Sequence, residues 1–221
     1  IFVVSKGENI TRSSFDFCNL NNQISITLKY NIMSMFCYQC QEAAKGTGCT
    51  VKGVCGKTDE VANIQDLLMY VMKGISQYST LAREAGVENE KVNHYIMTGL
   101  FMTITNANFD KVKFVEFIRE GLRLKEEIKK QAEEAGVSFG ELHHSATWFA
   151  ETENDFDAKA RVVGILATEN EDVRSLRELL IYGLKGFAAY AEHAYNLGLE
   201  KVEMYAFMQK ALKATTDDTL S

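Results

Sequence analysis

Proline is missing altogether from this chain of 221 residues, where average usage is about 5%. A backbone without that helix breaker favours long uninterrupted helices, and these are the leading expectation. Long apolar runs are missing too. No stretch reaches the roughly eighteen apolar residues of a membrane-spanning helix, and Ile1 to Val4 is too short for the apolar core of a signal peptide. Basic charge is in deficit: 24 Lys and Arg face 30 Asp and Glu, for a net charge of −6 and a pI near 5.4. That balance argues against nucleic acid as a bulk partner, because phosphate binding wants a basic surface. No Gly-x-Gly-x-x-Gly or Walker-type loop supports nucleotide binding, and no His-Glu-x-x-His spacing occurs. The expectation is a cytoplasmic protein with reduced thiols, without a nucleic-acid or membrane partner.

Cysteine is scarce and unevenly spread, since four of the five lie between Cys37 and Cys55 and none follows Cys55. The arrangement is Cys37-x2-Cys40-x8-Cys49-x5-Cys55. Four soft thiolate donors on one short segment suit a metal or an iron–sulfur centre. A disulfide framework belongs to small secreted domains short of core, whereas this chain is 46% apolar. Zinc ribbons present two short Cys-x2-Cys knuckles, and here one knuckle is followed by longer arms. Gly46, Gly48, Gly53 and Gly56 would let the chain curl around a bulky cofactor. Lys45, Lys52 and Lys57, against Glu42 alone among the acids of the stretch, would offset negative charge. Spacing and context point to an iron–sulfur cluster, with zinc-bound or unligated cysteines as the alternative.

Residues 1–34 show no useful periodicity and read as an unstructured or spurious leader, with Cys18 a lone thiol and Met33 or Met35 available as the initiator. Asn9-Ile10-Thr11 fits a sequon, but reads as an ordinary polar stretch. The remainder, 35–221, reads as an all-α domain: a cysteine-rich loop, then sub-bundles over about 58–136 and 155–216. Val61, Ile64, Leu68, Val71, Ile75 and Tyr78 form a helical core stripe closed by Gly86. A second helix is expected over about Glu88 to Ile104. A third should be capped by Asn106 or Asn108, with Val112, Val115, Ile118 and Leu122 inward, a solvated charged end from Lys125 to Glu134, and a stop at Gly136.

Residues 137–154 read as polar and irregular, anchored by Phe139, Trp148 and Phe149. A short helix near Asp157 to Leu166 and a long one opened by Asn170 follow, the latter with Leu176, Leu180, Leu184, Phe187 and Ala191 inward and Gly198 as its end. Gly183 and Gly186 suggest a close helix approach or a bend. A last helix, Leu199 to Ala214, carries Val202, Tyr205, Phe207 and Met208. The four histidines, His94, His143, His144 and His193, read as surface or capping residues, because adjacent residues point apart.

The run Met35-Phe36-Cys37-Tyr38-Gln39-Cys40-Gln41-Glu42, continued by Gly48-Cys49-Thr50-Val51-Lys52-Gly53-Val54-Cys55-Gly56-Lys57, closely resembles the start of the hybrid-cluster proteins, also called hydroxylamine reductases. The likeness continues through Asn63 to Leu68, Thr103 to Asn108 and Gly164 to Arg177, and covers about residues 35–221. It implies two three-helix bundles, with Cys37, Cys40, Cys49 and Cys55 at the positions that bind a [4Fe-4S] cluster in short-spaced members. It further implies an oxidoreductase that converts hydroxylamine to ammonia, raises nitric oxide reduction to nitrous oxide as a second activity, and implies a redox partner protein or reductase as electron source.

Family members continue into two α/β domains that hold the catalytic hybrid iron–sulfur–oxygen cluster, and those domains are not in this sequence. On that resemblance no catalytic residue is assigned here, and the chain alone is expected to be inactive toward hydroxylamine. A different reading is a free-standing electron-transfer or redox-sensing module.

Overall fold

The computed structural model describes residues 33–218, and the expectations placed on residues 1–32, Cys18 among them, lie outside the described residues. Seven α-helices are found among the described residues, and no strand, in agreement with the all-α expectation: α1 Asp59–Glu84, α2 Glu90–Met102, α3 Lys111–Glu134, α4 His144–Thr147, α5 Glu153–Ala160, α6 Glu171–Asn196 and α7 Val202–Ala214. Single turns of 3-10 helix lie at Ala44–Gly46 and Ile165–Ala167.

Side-chain caps set most of the starts. Thr58, Asn89, Asp110, Thr152 and Asn170 each accept a hydrogen bond from a backbone N–H of the first turn of α1, α2, α3, α5 and α6, which satisfies donors that the helix itself cannot. Gly86, Gly136 and Gly198 take positive φ just past α1, α3 and α6, where the sequence placed its stops. The start of α3 differs from the expectation. Asp110 is its cap, while Asn108 accepts from the Asp110 N–H one step earlier and Asn106 sits in the left-handed region at φ 64°. Two Asx turns in series therefore delay the helix.

Most of the 26 residues of α1 are buried, including Ile64, Leu67, Leu68, Val71, Met72 and Ile75. The other helices surround it: α3, α4, α5 and α7 pack on α1, and α2 packs on α6 and α7. A continuous hydrophobic cluster runs through α1, α2, α3, α5, α6 and α7. Helix α4 comes so close to α1 that a Cβ at Gly74 would run into the Ser145 carbonyl, so that crossing requires glycine.

Val115, Ile118 and Leu122 on α3 and Leu184 and Ala191 on α6 are buried as expected, but several other inward assignments differ. On α3, Val112 is exposed and Phe114 is fully buried beside Val115 and Ile118. On α6, Leu176 and Phe187 face outward, and the buried face is Val173, Ile181, Leu184, Ala188 and Ala191. Gly183 and Gly186 meet nothing within 4 Å and mark no close approach. On α7, Tyr205 and Met208 are buried, but Val202 and Phe207 are exposed, as is Phe149 before α5. The charged end of α3 is not wholly solvated. Lys125 is fully buried, and its ammonium donates to the carbonyls of Ser145 and Trp148, satisfying the open end of α4. Burial pushes its pKa down to about 8.

These placements make the stripe testable. Leu68→Asp, which puts a charge at a position with no exposure, should cost on the order of 3 kcal/mol or more. Leu176→Asp, at a position 54% exposed, should stay within about 0.5 kcal/mol of the parent. Urea unfolding of the two variants checks both, and equal losses would contradict the outward placement of Leu176.

Candidate metal centre

The cysteine loop is closed by its own backbone. Cys37 and Cys49 exchange hydrogen bonds as an isolated antiparallel bridge, with N–H to O distances of 3.0 and 2.8 Å, and Met35 N–H donates to Thr50 O at 3.2 Å. Between them the chain turns at Cys40 to Ala43 and passes through the 3-10 turn, where Lys45, Gly46 and Gly48 take positive φ. The Ala44 N–H points at Cys49 Sγ, 3.4 Å away, the kind of donor that favours a thiolate. A second turn, closed by Gly53 N–H to Lys57 O at 2.8 Å and Gly56 N–H to Gly53 O at 2.9 Å, holds Cys55 at its tip. Met35 and Cys49 rest on Ala62 and tie the loop to the first turn of α1.

The loop therefore brings Cys37 and Cys49 side by side, with Cys49 buried, Cys37 and Cys40 half-buried and Cys55 exposed. All four are free thiols. The fold does not gather them further: among the described residues, no three His, Cys, Asp or Glu side chains are grouped closely enough to hold a metal ion. Thiols have no mutual attraction, so packing positions only those that touch α1. The donor set still fits an iron–sulfur group in its chemistry, with four thiols on a paired, glycine-jointed loop and an amide already directed at one sulfur. Burial raises the Cys37 pKa, opposed by a hydrogen bond from the Gln39 backbone and by the charge of Lys57. Of the three lysines expected to balance charge, Lys45 and Lys52 are exposed, and only Lys57 is buried.

Two hollows adjoin the loop. A cleft of about 450 Å³ separates Tyr38 to Gln41 from Glu178, Tyr182 and Lys185 of α6. A cavity of about 400 Å³ lies between α1, α6 and residues 162–170, and Asp66, Lys73, Glu178 and Lys185 all line it. Burial, with the charge of Glu178, pushes Asp66 up to about 7, while burial pulls Lys185 down to about 8. Glu178 is raised and Lys73 lowered, each chiefly by burial. Lys185 donates to Thr103 O at 3.1 Å.

Sequence reasoning missed these four residues. The available signal was spacing: Asp66 and Lys73, like Glu178 and Lys185, stand seven apart, in step with the apolar stripes of their helices. The His143 and His144 rings meet, with centroids 3.9 Å apart, rather than pointing apart, while His94 and His193 lie elsewhere. His143 accepts from Ser145 N–H and caps α4, His144 meets the Tyr70 hydroxyl at 3.3 Å, His94 pairs with Glu200 at 3.4 Å, and His193 packs edge-on against Phe101.

The family described as "Prismane/CO dehydrogenase family" matches residues 35–221. Curated relatives share the same region. A protein of Desulfitobacterium hafniense named hydroxylamine reductase is 64% identical over 190 residues, which cover 86% of this chain and 35% of that protein. Proteins of the same name from Parabacteroides distasonis and Thermoanaerobacter pseudethanolicus are 57% and 53% identical, covering 85% and 86% of this chain and 34% and 35% of theirs. The chain thus spans about a third of the length of these relatives.

The Asp66 carboxyl gives a pH-dependent test. Its folded pKa of about 7 lies above the ordinary 3.8, so the folded state holds a proton that the unfolded state has released between those values. The contribution is complete below the unfolded value and is lost as pH rises through about 7. Asp66→Asn should therefore gain stability relative to the parent on going from pH 5 to pH 8. Urea midpoints at the two pH values measure this, and a constant difference would show that the carboxyl is not shielded from water.

Proposed function

The chain belongs to the Prismane/CO dehydrogenase family, and from that premise we propose that it is the N-terminal, electron-entry part of a hydroxylamine reductase. Cys37, Cys40, Cys49 and Cys55 would hold a [4Fe-4S] cluster. The observation that carries the reading is the backbone-paired four-cysteine loop seated on α1, in a chain that matches relatives named hydroxylamine reductase.

A bound cluster supplies one-electron transfer. The protein's own residues hold and bias it. The bridge fixes Cys37 and Cys49, the Ala44 N–H favours charge on the Cys49 sulfur, and the turn at Gly53 to Lys57 presents Cys55 from the opposite arm. The half-buried Cys40 lines a cleft open toward Tyr38 and Tyr182, which is where a redox partner protein would approach most closely.

Reduction of hydroxylamine to ammonia and water takes two electrons and two protons. In this reading the reaction belongs to the part of the relatives that this chain does not span, and the role here is to pass electrons onward, in the cytoplasm. The four-iron form rests on the short spacing of the cysteines, and nitric oxide is a second candidate substrate.

Anaerobic reconstitution, iron and sulfide analysis, and electron paramagnetic resonance of the reduced chain test the proposal. Serine at Cys37, Cys40, Cys49 or Cys55 should lower bound iron several-fold, because a harder oxygen donor replaces thiolate, and Cys18→Ser should leave it unchanged. The reconstituted chain should accept electrons reversibly from reduced viologen, yet release no ammonia from hydroxylamine above a free-iron control. Sustained, cluster-dependent turnover would falsify the division of roles.

A further inference from the structure

Lys57 is 2% exposed, and its ammonium donates to one neutral acceptor, Gln65 Oε1, at 2.6 Å. The Gln65 amide is itself anchored, donating to Asn108 O at 3.2 Å. Among the described residues no carboxylate lies within 4.0 Å of the ammonium. The Asp66 carboxyl acts on it only from beyond contact distance, and a buried cation without a contacting carboxylate is costly, so its position favours a further anion nearby.

The cysteine loop is where one would sit. The backbone at Gly53 touches both sides: a Cβ built there would lie 3.0 Å from Cys55 Sγ and 3.1 Å from Lys57 Cβ. Gly53 N–H also closes the turn onto Lys57 O. Lys45 and Lys52, being exposed, act through water and are screened, whereas a buried charge acts at a much lower dielectric.

We propose that Lys57 is the built-in counter-charge of the cluster held by the four cysteines, a positioning residue that makes electron uptake more favourable. The proposal rests on the reading of the loop given above. Four thiolates leave the group with net negative charge, and reduction adds one electron's worth more, so a fixed cation near the loop stabilises the reduced form more than the oxidised form. Gln65 and Asn108 hold the cation in place without neutralising it.

The test compares the reconstituted wild-type chain with Lys57→Met and Lys57→Arg, each assayed for iron and sulfide and then titrated for its reduction potential. Lys57→Met should bind the cluster and shift its potential to more negative values by a tenfold or larger change in the reduced-to-oxidised ratio, about 59 mV for one electron. Lys57→Arg, which keeps the charge, should recover most of the shift. An unchanged potential in loaded Lys57→Met overturns the proposal.

If Lys57→Met fails to load, the cluster-free chains decide. A buried cation without a contacting carboxylate predicts that the cluster-free Met variant melts at a higher temperature than cluster-free wild type, whereas a lower temperature means that Lys57 is merely structural and overturns the proposal. Failure of the wild-type chain itself to bind iron and sulfide refutes the reading of the loop, and removes the anion assigned to Lys57 with it.

Discussion

Burial of α1 is the constraint on which the rest of the structure depends. A helix of 26 residues with most of its surface inside needs neighbours on several sides, and α3, α4, α5 and α7 supply them. Polar positions on α1 must then be satisfied by those neighbours. Tyr70 meets His144, Gln77 reaches Thr216, and Gln65 links Lys57 to the carbonyl of Asn108. The first turn of the same helix carries the cysteine loop. The candidate site is therefore anchored on the α1 side and open on the side toward α6.

The sequence made some of this legible, for identifiable reasons. Caps and stops are local chemistry, so Asn170, Gly86, Gly136 and Gly198 fell where their residue types placed them. The stripe of α1 was readable because a helix buried on most faces tolerates any inward assignment. Helices α3 and α6 are buried on one face only, and Val112 and Leu176 near their starts face water although Val115, Ile118, Leu184 and Ala191 of the same stripes are inside. Periodicity gives the spacing of a stripe, but the neighbours choose which stripe is inside.

Charge was read less well than apolarity. Lys125 sits in a run of alternating charge that resembles a solvated face, yet it spans the core edge to bond two carbonyls of a segment far along the chain. Asp66, Lys73, Glu178 and Lys185 were invisible as a group because two helices remote in sequence bring them to one cavity. The four cysteines stood out because their proximity is written in the chain itself. The hydrogen bonds that pair Cys37 with Cys49 were not legible, since they depend on φ values that residue type permits but does not impose.

The bridge between Cys37 and Cys49 has a bearing on how the molecule is made. It closes a short loop, and short loops close at small entropic cost and within about 100 ns. The contact between Gln77 and Thr216 joins residues 139 positions apart, and pairings of that range are slow. Synthesis proceeds from the N-terminus at roughly 5–20 residues per second, so the cysteine loop and the start of α1 exist for seconds before α6 and α7 leave the ribosome. The thiols can be arranged, and offered for metallation, while the helices that later flank the cleft beside Cys40 have yet to arrive.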